Sequence, residues 1–220
     1  DSHLCVEDWP VRTLPSQGIL FGLIDAEGCW QYRQGRVLSL TFFIDEREKE
    51  LHNWLEVELR QLGGKIWNCN RTRQAHGIGV AIGAKTARSL RQGYDEFVKS
   101  APSEEEMKGW LRGFAEGDGC IGQNMRVEFS HNKPEQFMRL MWFLERLGYH
   151  PTVHEAVYKG TLPQSATDVK VKFHRIIRLS SSESQRFLVE VGFLSRAKRS
   201  KLWAKIVEKR RVNQATKVYD

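Results

Sequence analysis

Two carboxylates, Glu27 and Asp118, close two segments that repeat each other 91 residues apart. Residues 18–29 read GILFGLIDAEGC and residues 109–120 read GWLRGFAEGDGC, with five of the twelve aligned positions identical (Gly18/Gly109, Leu20/Leu111, Gly22/Gly113, Gly28/Gly119, Cys29/Cys120). Two further pairs, Asp25/Glu116 and Glu27/Asp118, keep an acid and change its length. Gly18, Gly22 and Ala26 fall four apart, as do Gly109, Gly113 and Gly117, so each trio lies on one face of a helix. Glycine in a helix interior costs about 1 kcal/mol relative to alanine. Two matched stripes of small residues therefore point to a purpose, the close approach of two helix backbones. If those helices run parallel, Glu27 and Asp118 emerge together at their C-terminal ends. The macrodipole is negative there, and two like charges repel. A divalent cation relieves both. Carboxylate oxygens suit magnesium, and the unpaired last-turn carbonyls of Ala26 and Gly117 are further candidate metal ligands. Acids matched to acids over such a repeat imply a pseudo-twofold molecule with one carboxylate site built from two halves.

The elements that would position this pair follow one plan twice. Pro15-Ser16 reads as a helix start, VLSLTFFI (37–44) as a strand, and Leu51, Trp54, Leu55, Leu59 and Leu62 as a helix stopped at Gly63-Gly64. Short strands are expected near 65–71 and 77–82, then a helix over 85–99. KSAP (99–102) reads as the linker, giving halves 1–101 and 102–220. Ser103 to Glu106 form a capping box at the second motif helix. A strand at 125–130, a helix at 134–147 ending at Gly148, strands near 151–158 and 169–179, and helices near 182–191 and 196–210 complete the second copy. The expected class is α+β.

Bulk properties narrow the partners. The chain has 220 residues, a net charge of +7 and an isoelectric point near 9.3, which suggests a polyanionic partner. Residues 1–100 hold 13 basic and 13 acidic side chains, and residues 101–220 hold 21 and 14, so the excess lies in the second half. The four cysteines (Cys5, Cys29, Cys69, Cys120) show no C-x-x-C spacing, which argues against a structural zinc. No apolar run reaches membrane-spanning length and no signal-peptide pattern opens the chain. The expectation is an intracellular protein without a membrane partner.

LFGLIDAEG (20–28) and LRGFAEGDG (111–119) resemble two copies of the LAGLIDADG motif of homing endonucleases. The second copy is looser, departing at Arg112, Ala115 and Glu116. The resemblance covers nearly the whole chain and implies two αββαββα halves packed through their motif helices, with antiparallel DNA-binding sheets. It implies that Glu27 and Asp118 bind the catalytic magnesium, with manganese able to substitute and calcium binding without supporting cleavage. It further implies a double-strand break across the minor groove with short 3′ overhangs. GFLSRAKRSKL (192–202) resembles the family's closing segment, which carries a catalytic lysine, here Lys198. Glu46 and Asn132 fall where the family places polar residues that organise water.

The family lays its sheets in the major groove of double-stranded DNA, so strand alternation sorts core from DNA face. Leu38, Leu40, Phe42 and Ile44 are expected inward, with Ser39, Thr41 and Phe43 towards DNA. Trp30 and Tyr32 are expected inward, with Gln31 and Arg33 outward. Asn68 and Asn70 share a face suited to adenine edges, and Arg71 and Arg73 suit phosphates. In the second half Val127 and Phe129 point inward, leaving Arg126, Glu128 and Ser130 outward; Val171 and Phe173 likewise leave Lys170, Lys172 and His174 outward, with Arg178 continuing the row. Unlike sheets in one chain imply a monomer reading a long asymmetric site, with no obligate protein partner. A DNA- or RNA-binding relative on the same scaffold, an intron maturase acting on its own intron RNA or a regulator, is the alternative; acids at both positions argue against lost cleavage. The expected setting is an intron-encoded protein of a prokaryotic cytoplasm or nucleoid, or of an organelle.

Overall fold

The computed structural model describes residues 12–45, 48–64, 66–69, 77–122, 126–131, 133–158, 172–201 and 204. The first half runs α1 (Ser16–Glu27), β1 (Gly28–Arg33), β2 (Arg36–Asp45), α2 (Lys49–Gln61), β3 (Ile66–Cys69), β4 (Gly77–Ile82) and α3 (Ala84–Lys99). The second runs α4 (Glu104–Asp118), β5 (Gly119–Ile121), β6 (Val127–His131), α5 (Pro134–Arg146), β7 (Thr152–Tyr158), β8 (Lys172–Arg178) and α6 (Ser181–Glu190). Both are αββαββα, and the antiparallel sheets share one strand order, β1-β2-β4-β3 and β5-β6-β8-β7. Among the described residues no helix is long and apolar enough to cross a membrane.

Local chemistry sets the boundaries. Ser103 and Glu106 form the expected capping box at α4, each side chain bonding the other's backbone N–H. Ser180 and Glu183 do the same at α6. Gln34 and Gly35, with φ of 50° and 74°, make the two-residue turn between β1 and β2.

The two motif helices are the spine. α1 and α4 lie side by side and parallel, since Gly18 meets Gly109, Gly22 meets Trp110 and Phe114, and Ala26 meets Gly117 in the same order. A Cβ on Gly22 would sit 1.9 Å from the Trp110 carbonyl oxygen, and one on Gly113 1.9 Å from that of Ile19. Only hydrogen fits at those two crossings. Around this contact a single apolar core joins both halves, with Phe97 of α3 edge-on to Phe143 of α5 at 6.0 Å. Leu20, Leu23, Ile24, Leu111 and Phe114 are all closed to solvent, as their spacing predicts.

Three strand expectations are corrected. Gln31 pairs with Ser39 but Tyr32 pairs with Val37, so Leu38 is an extra residue at a β-bulge. Val37 takes the inward place, and Leu38 is 42% exposed. Tyr32 keeps the row of Val37 but overhangs the sheet, half exposed, and its hydroxyl accepts from Arg91 of α3 at 3.2 Å. Asn68 registers with Val80, which registers with Phe42, so its position falls in the row of the core residues and not in the Thr41–Ala81 row. On α2, Leu51, Leu55 and Leu59 are buried as expected, whereas Leu62 stands at the helix end and is exposed.

Candidate active site

The parallel packing of α1 and α4 delivers Glu27 and Asp118 to one end of the spine. Glu27 leans over Gly117, where a Cβ would come within 2.8 Å of its Cγ. Burial pushes the Glu27 carboxyl up, and the charges of Asp118 and Glu48 push it further, against the opposing pull of Lys198 and Lys133, to about 7. A carboxyl held that high is a negative charge wanting a cation. Without metal, the contribution of Glu27 to stability is greatest below the ordinary carboxylate value, because the folded protein keeps a proton there that the unfolded chain releases. We therefore expect that, in chelator, stability falls between pH 4.5 and about 7 and that Glu27→Gln flattens this slope in thermal melts.

Asp118 is held differently. Its Oδ2 accepts from His131 Nδ1 at 2.5 Å, and the histidine is 8% exposed. Lys198 reaches the same helix end, donating from Nζ to the Glu116 carbonyl, with the Ala115 carbonyl at 3.4 Å. A cation there satisfies last-turn carbonyls and the negative end of the dipole. Lys198 stands on a helical segment, 196–201, whose approach is fixed by Glu116: its Oε2 accepts the N–H of Leu194 at 2.9 Å and of Ser195 at 3.2 Å. The buried Arg112 donates from Nε to the Val191 carbonyl at 2.6 Å, anchoring the same stretch, and burial pushes its pKa down to about 10.

The other acid inside the motif, Asp25, has a cross-half role that sequence reasoning missed. It is 2% exposed and accepts from Tyr94 Oη at 2.5 Å, from Trp110 Nε1 at 2.9 Å and from Arg139. Asp25 and Tyr94 belong to the first half, Trp110 and Arg139 to the second. The visible signal was a carboxylate amid buried apolar positions of α1, and an arginine next to the apolar face of α5.

The other expected residues divide as follows. Gln31 and Arg33 are exposed on β1. Ser39 and Thr41 lie on β2 but, against expectation, are only 9% and 4% exposed; Ser39 Oγ donates to Gln31 Oε1 at 3.2 Å, and Thr41 lies in register between Cys29 and the buried Ala81. Glu128 and Arg178 face each other across β6 and β8 and form an ion pair of 2.6 Å, while Ser130 is exposed. Arg126 sits half-buried before β6. Lys172 and His174 fall in the row of Arg178 by register. Glu46, Asn70, Arg71, Arg73, Asn132 and Lys170 lie outside the described residues. Arg36, exposed opposite Arg33 at the hairpin tip, is a basic residue that alternation alone did not single out.

The donors present fit a hard divalent cation. Among the described residues no cluster of three or more His, Cys, Asp or Glu could hold a metal ion. Two carboxylates, with the last-turn carbonyls of Ala26 and Gly117 as further candidates, leave positions for water and phosphate oxygens, the mixture magnesium favours.

Two unlike sheets related by a pseudo-twofold, with paired acids at the ends of a glycine-packed parallel helix pair, define a known class of scaffold. Residues 105–200 match the family model described as a LAGLIDADG-like domain. The second half of the chain therefore carries a LAGLIDADG-like domain. It is similar in fold to I-DmoI, a homing endonuclease, in a crystal structure with DNA and Mn: 12% identity, TM-score 0.56, covering 80% of this chain and 96% of that one. Full-length DUF199/WhiA from Thermatoga maritima matches with 14% identity and a TM-score of 0.56 over 95% of this chain and 69% of its own. The N-terminal LAGLIDADG domain of DUF199/WhiA matches with 11% identity and a TM-score of 0.52 over 80% of each. No curated protein matches the sequence.

Proposed function

We propose that the protein is a monomeric, site-specific DNA endonuclease that makes a double-strand break in a long asymmetric target. The observation that carries this reading is the convergence of Glu27 and Asp118 between two unlike sheets, with Glu27 raised to about 7 by burial and by its partner's charge. That arrangement costs stability and is repaid only when a cation and a phosphate backbone occupy the site. Structures of I-DmoI in complex with DNA and Mn and with DNA and Ca support the same ligand classes here.

Glu27 and Asp118 would hold divalent cations, which would supply an activated water and relieve charge on the leaving oxygen. The protein's own groups do the rest. Glu27 and Asp118 each stand on the side of one half and so serve one strand each, which makes two cuts from one pseudo-symmetric site and leaves short 3′ overhangs. Lys198, fixed at the end of α4, supplies positive charge beside the scissile phosphates. Gln31, Arg33, Arg36, Ser130 and the Glu128–Arg178 pair offer unlike outward rows for base and phosphate contacts.

The test is a plasmid carrying the DNA that flanks the gene's own insertion point. Magnesium and the protein are expected to give a linear product with 3′ overhangs, and chelator to prevent it. Tight binding without a cut would favour the regulator on the same scaffold, and splicing of the host intron would show a maturase.

A further inference from the structure

His131 stands at the site through no motif position. It closes β6, donates from Nδ1–H to Asp118 Oδ2 at 2.5 Å, and is 8% exposed. Its ring packs edge-on to the buried Phe114 with centroids 5.2 Å apart, and its backbone is in register with Arg175 of β8. Strand pairing behind it and the Phe114 ring beside it hold the imidazole against Asp118. The pseudo-twofold identifies the equivalent residue of the first half. Gly28 pairs with Phe42 as Gly119 pairs with Phe129, so His131 corresponds to Ile44. Ile44 is apolar and 2% exposed, and offers Glu27 no hydrogen bond. The two acids are thus supported unequally from the same strand position.

We propose that His131 is a positioning residue for Asp118, committing Oδ2 and leaving Oδ1 free for a divalent cation or its water, and that this support, which Ile44 does not give Glu27, makes the protein treat the two DNA strands unequally. The proposal rests on the endonuclease reading above. Hydrogen bonds to a ligating carboxylate orient it, and their loss costs about 10–100-fold in metal affinity or activity. Asparagine can place an amide N–H where Nδ1–H donates, leucine offers no donor, and glutamine moves the amide towards the Nε2 position.

The experiment uses full-length protein and a target duplex labelled on both strands, with each strand's rate measured separately in magnesium. His131→Leu is expected to slow one strand about 10–100-fold and to leave the other within about 3-fold, so nicked duplex accumulates. His131→Asn restores the slowed strand to within about 10-fold of wild type. A second readout needs no cutting: the calcium concentration that half-saturates tightening on uncut duplex rises in His131→Leu and not in His131→Asn. If His131→Leu does not fold, His131→Gln replaces it, with the same expected loss. Equal slowing of both strands, or no difference between Asn and Leu, overturns the positioning role. If wild type binds but does not cut, the endonuclease reading fails instead, and the calcium measurement still decides the role of His131.

Discussion

Gly113→Ala and Gly22→Ala each destabilise the protein by more than about 3 kcal/mol, enough to leave it loosely folded or insoluble. The sign is the telling part. In an exposed helix the same exchange stabilises by about 1 kcal/mol, because alanine loses less backbone entropy. Here the new methyl would meet a carbonyl oxygen of the facing helix at 1.9 Å, so the two backbones must separate along their whole contact. Separation opens the core and pulls Glu27 away from Asp118. Gly93→Ala is the control. It lies inside α3, where a Cβ would touch only Phe21 Cζ at 3.6 Å and Gln17 Nε2 at 3.7 Å, an ordinary contact. It is expected to be neutral or to stabilise by up to about 1 kcal/mol. Urea melts of the three variants check both signs, and a stable, active Gly113→Ala would show that the helices do not meet as described.

Glu27→Gln combined with Asp118→Asn lowers the cleavage rate by more than about 1000-fold, since even one lost electrostatic group costs about 100–1000-fold. DNA affinity is retained, because the basic second half and the outward rows of both sheets are untouched. Its dependence on salt stays steep, as phosphate neutralisation requires. The variant is also more stable than wild type in chelator above pH 7, by about 1–2 kcal/mol after allowance for solvent screening, because the amide replaces a half-buried carboxylate whose ionisation is opposed by burial and by Asp118. Lost activity with increased metal-free stability separates a site that stores repulsion from a fold that has been damaged. Calorimetry in chelator and a gel-shift titration together decide it.

The parts of this molecule that sequence reveals are the parts set by local pattern. Glycines four apart, the Ser103–Glu106 box and the apolar spacing of Leu51, Leu55 and Leu59 each act within one helix, and all are found where the spacing puts them. The twofold plan follows from them, because a repeat of elements needs no knowledge of distant contacts. What escapes is set across the chain. The bulge at Leu38 inserts one residue into a strand whose alternation still reads as regular, and it exchanges Leu38 for Val37 in the core. The row of Asn68 depends on its pairing with β4, and the row of Thr41 places it beside the buried Ala81 of that strand. The clasp of Asp25 with Arg139 spans 114 positions, and the bond from His131 to Asp118 depends on β5 and β6 folding back together. One clue to His131 was present: Val127, Phe129 and His131 form an alternating inward row, and a polar residue on such a row needs a buried partner.

The central claim is that one chain builds one cutting site from two unlike halves. It is tested most directly by assaying wild type, Glu27→Gln, Asp118→Asn and the double variant on the target plasmid in magnesium. A composite site within one chain, with one acid per strand, predicts that wild type linearises the plasmid, that each single variant stops at nicked circle with the two nicks in opposite strands, and that the double variant leaves the plasmid supercoiled. Linear product at the wild-type rate from either single variant would contradict it.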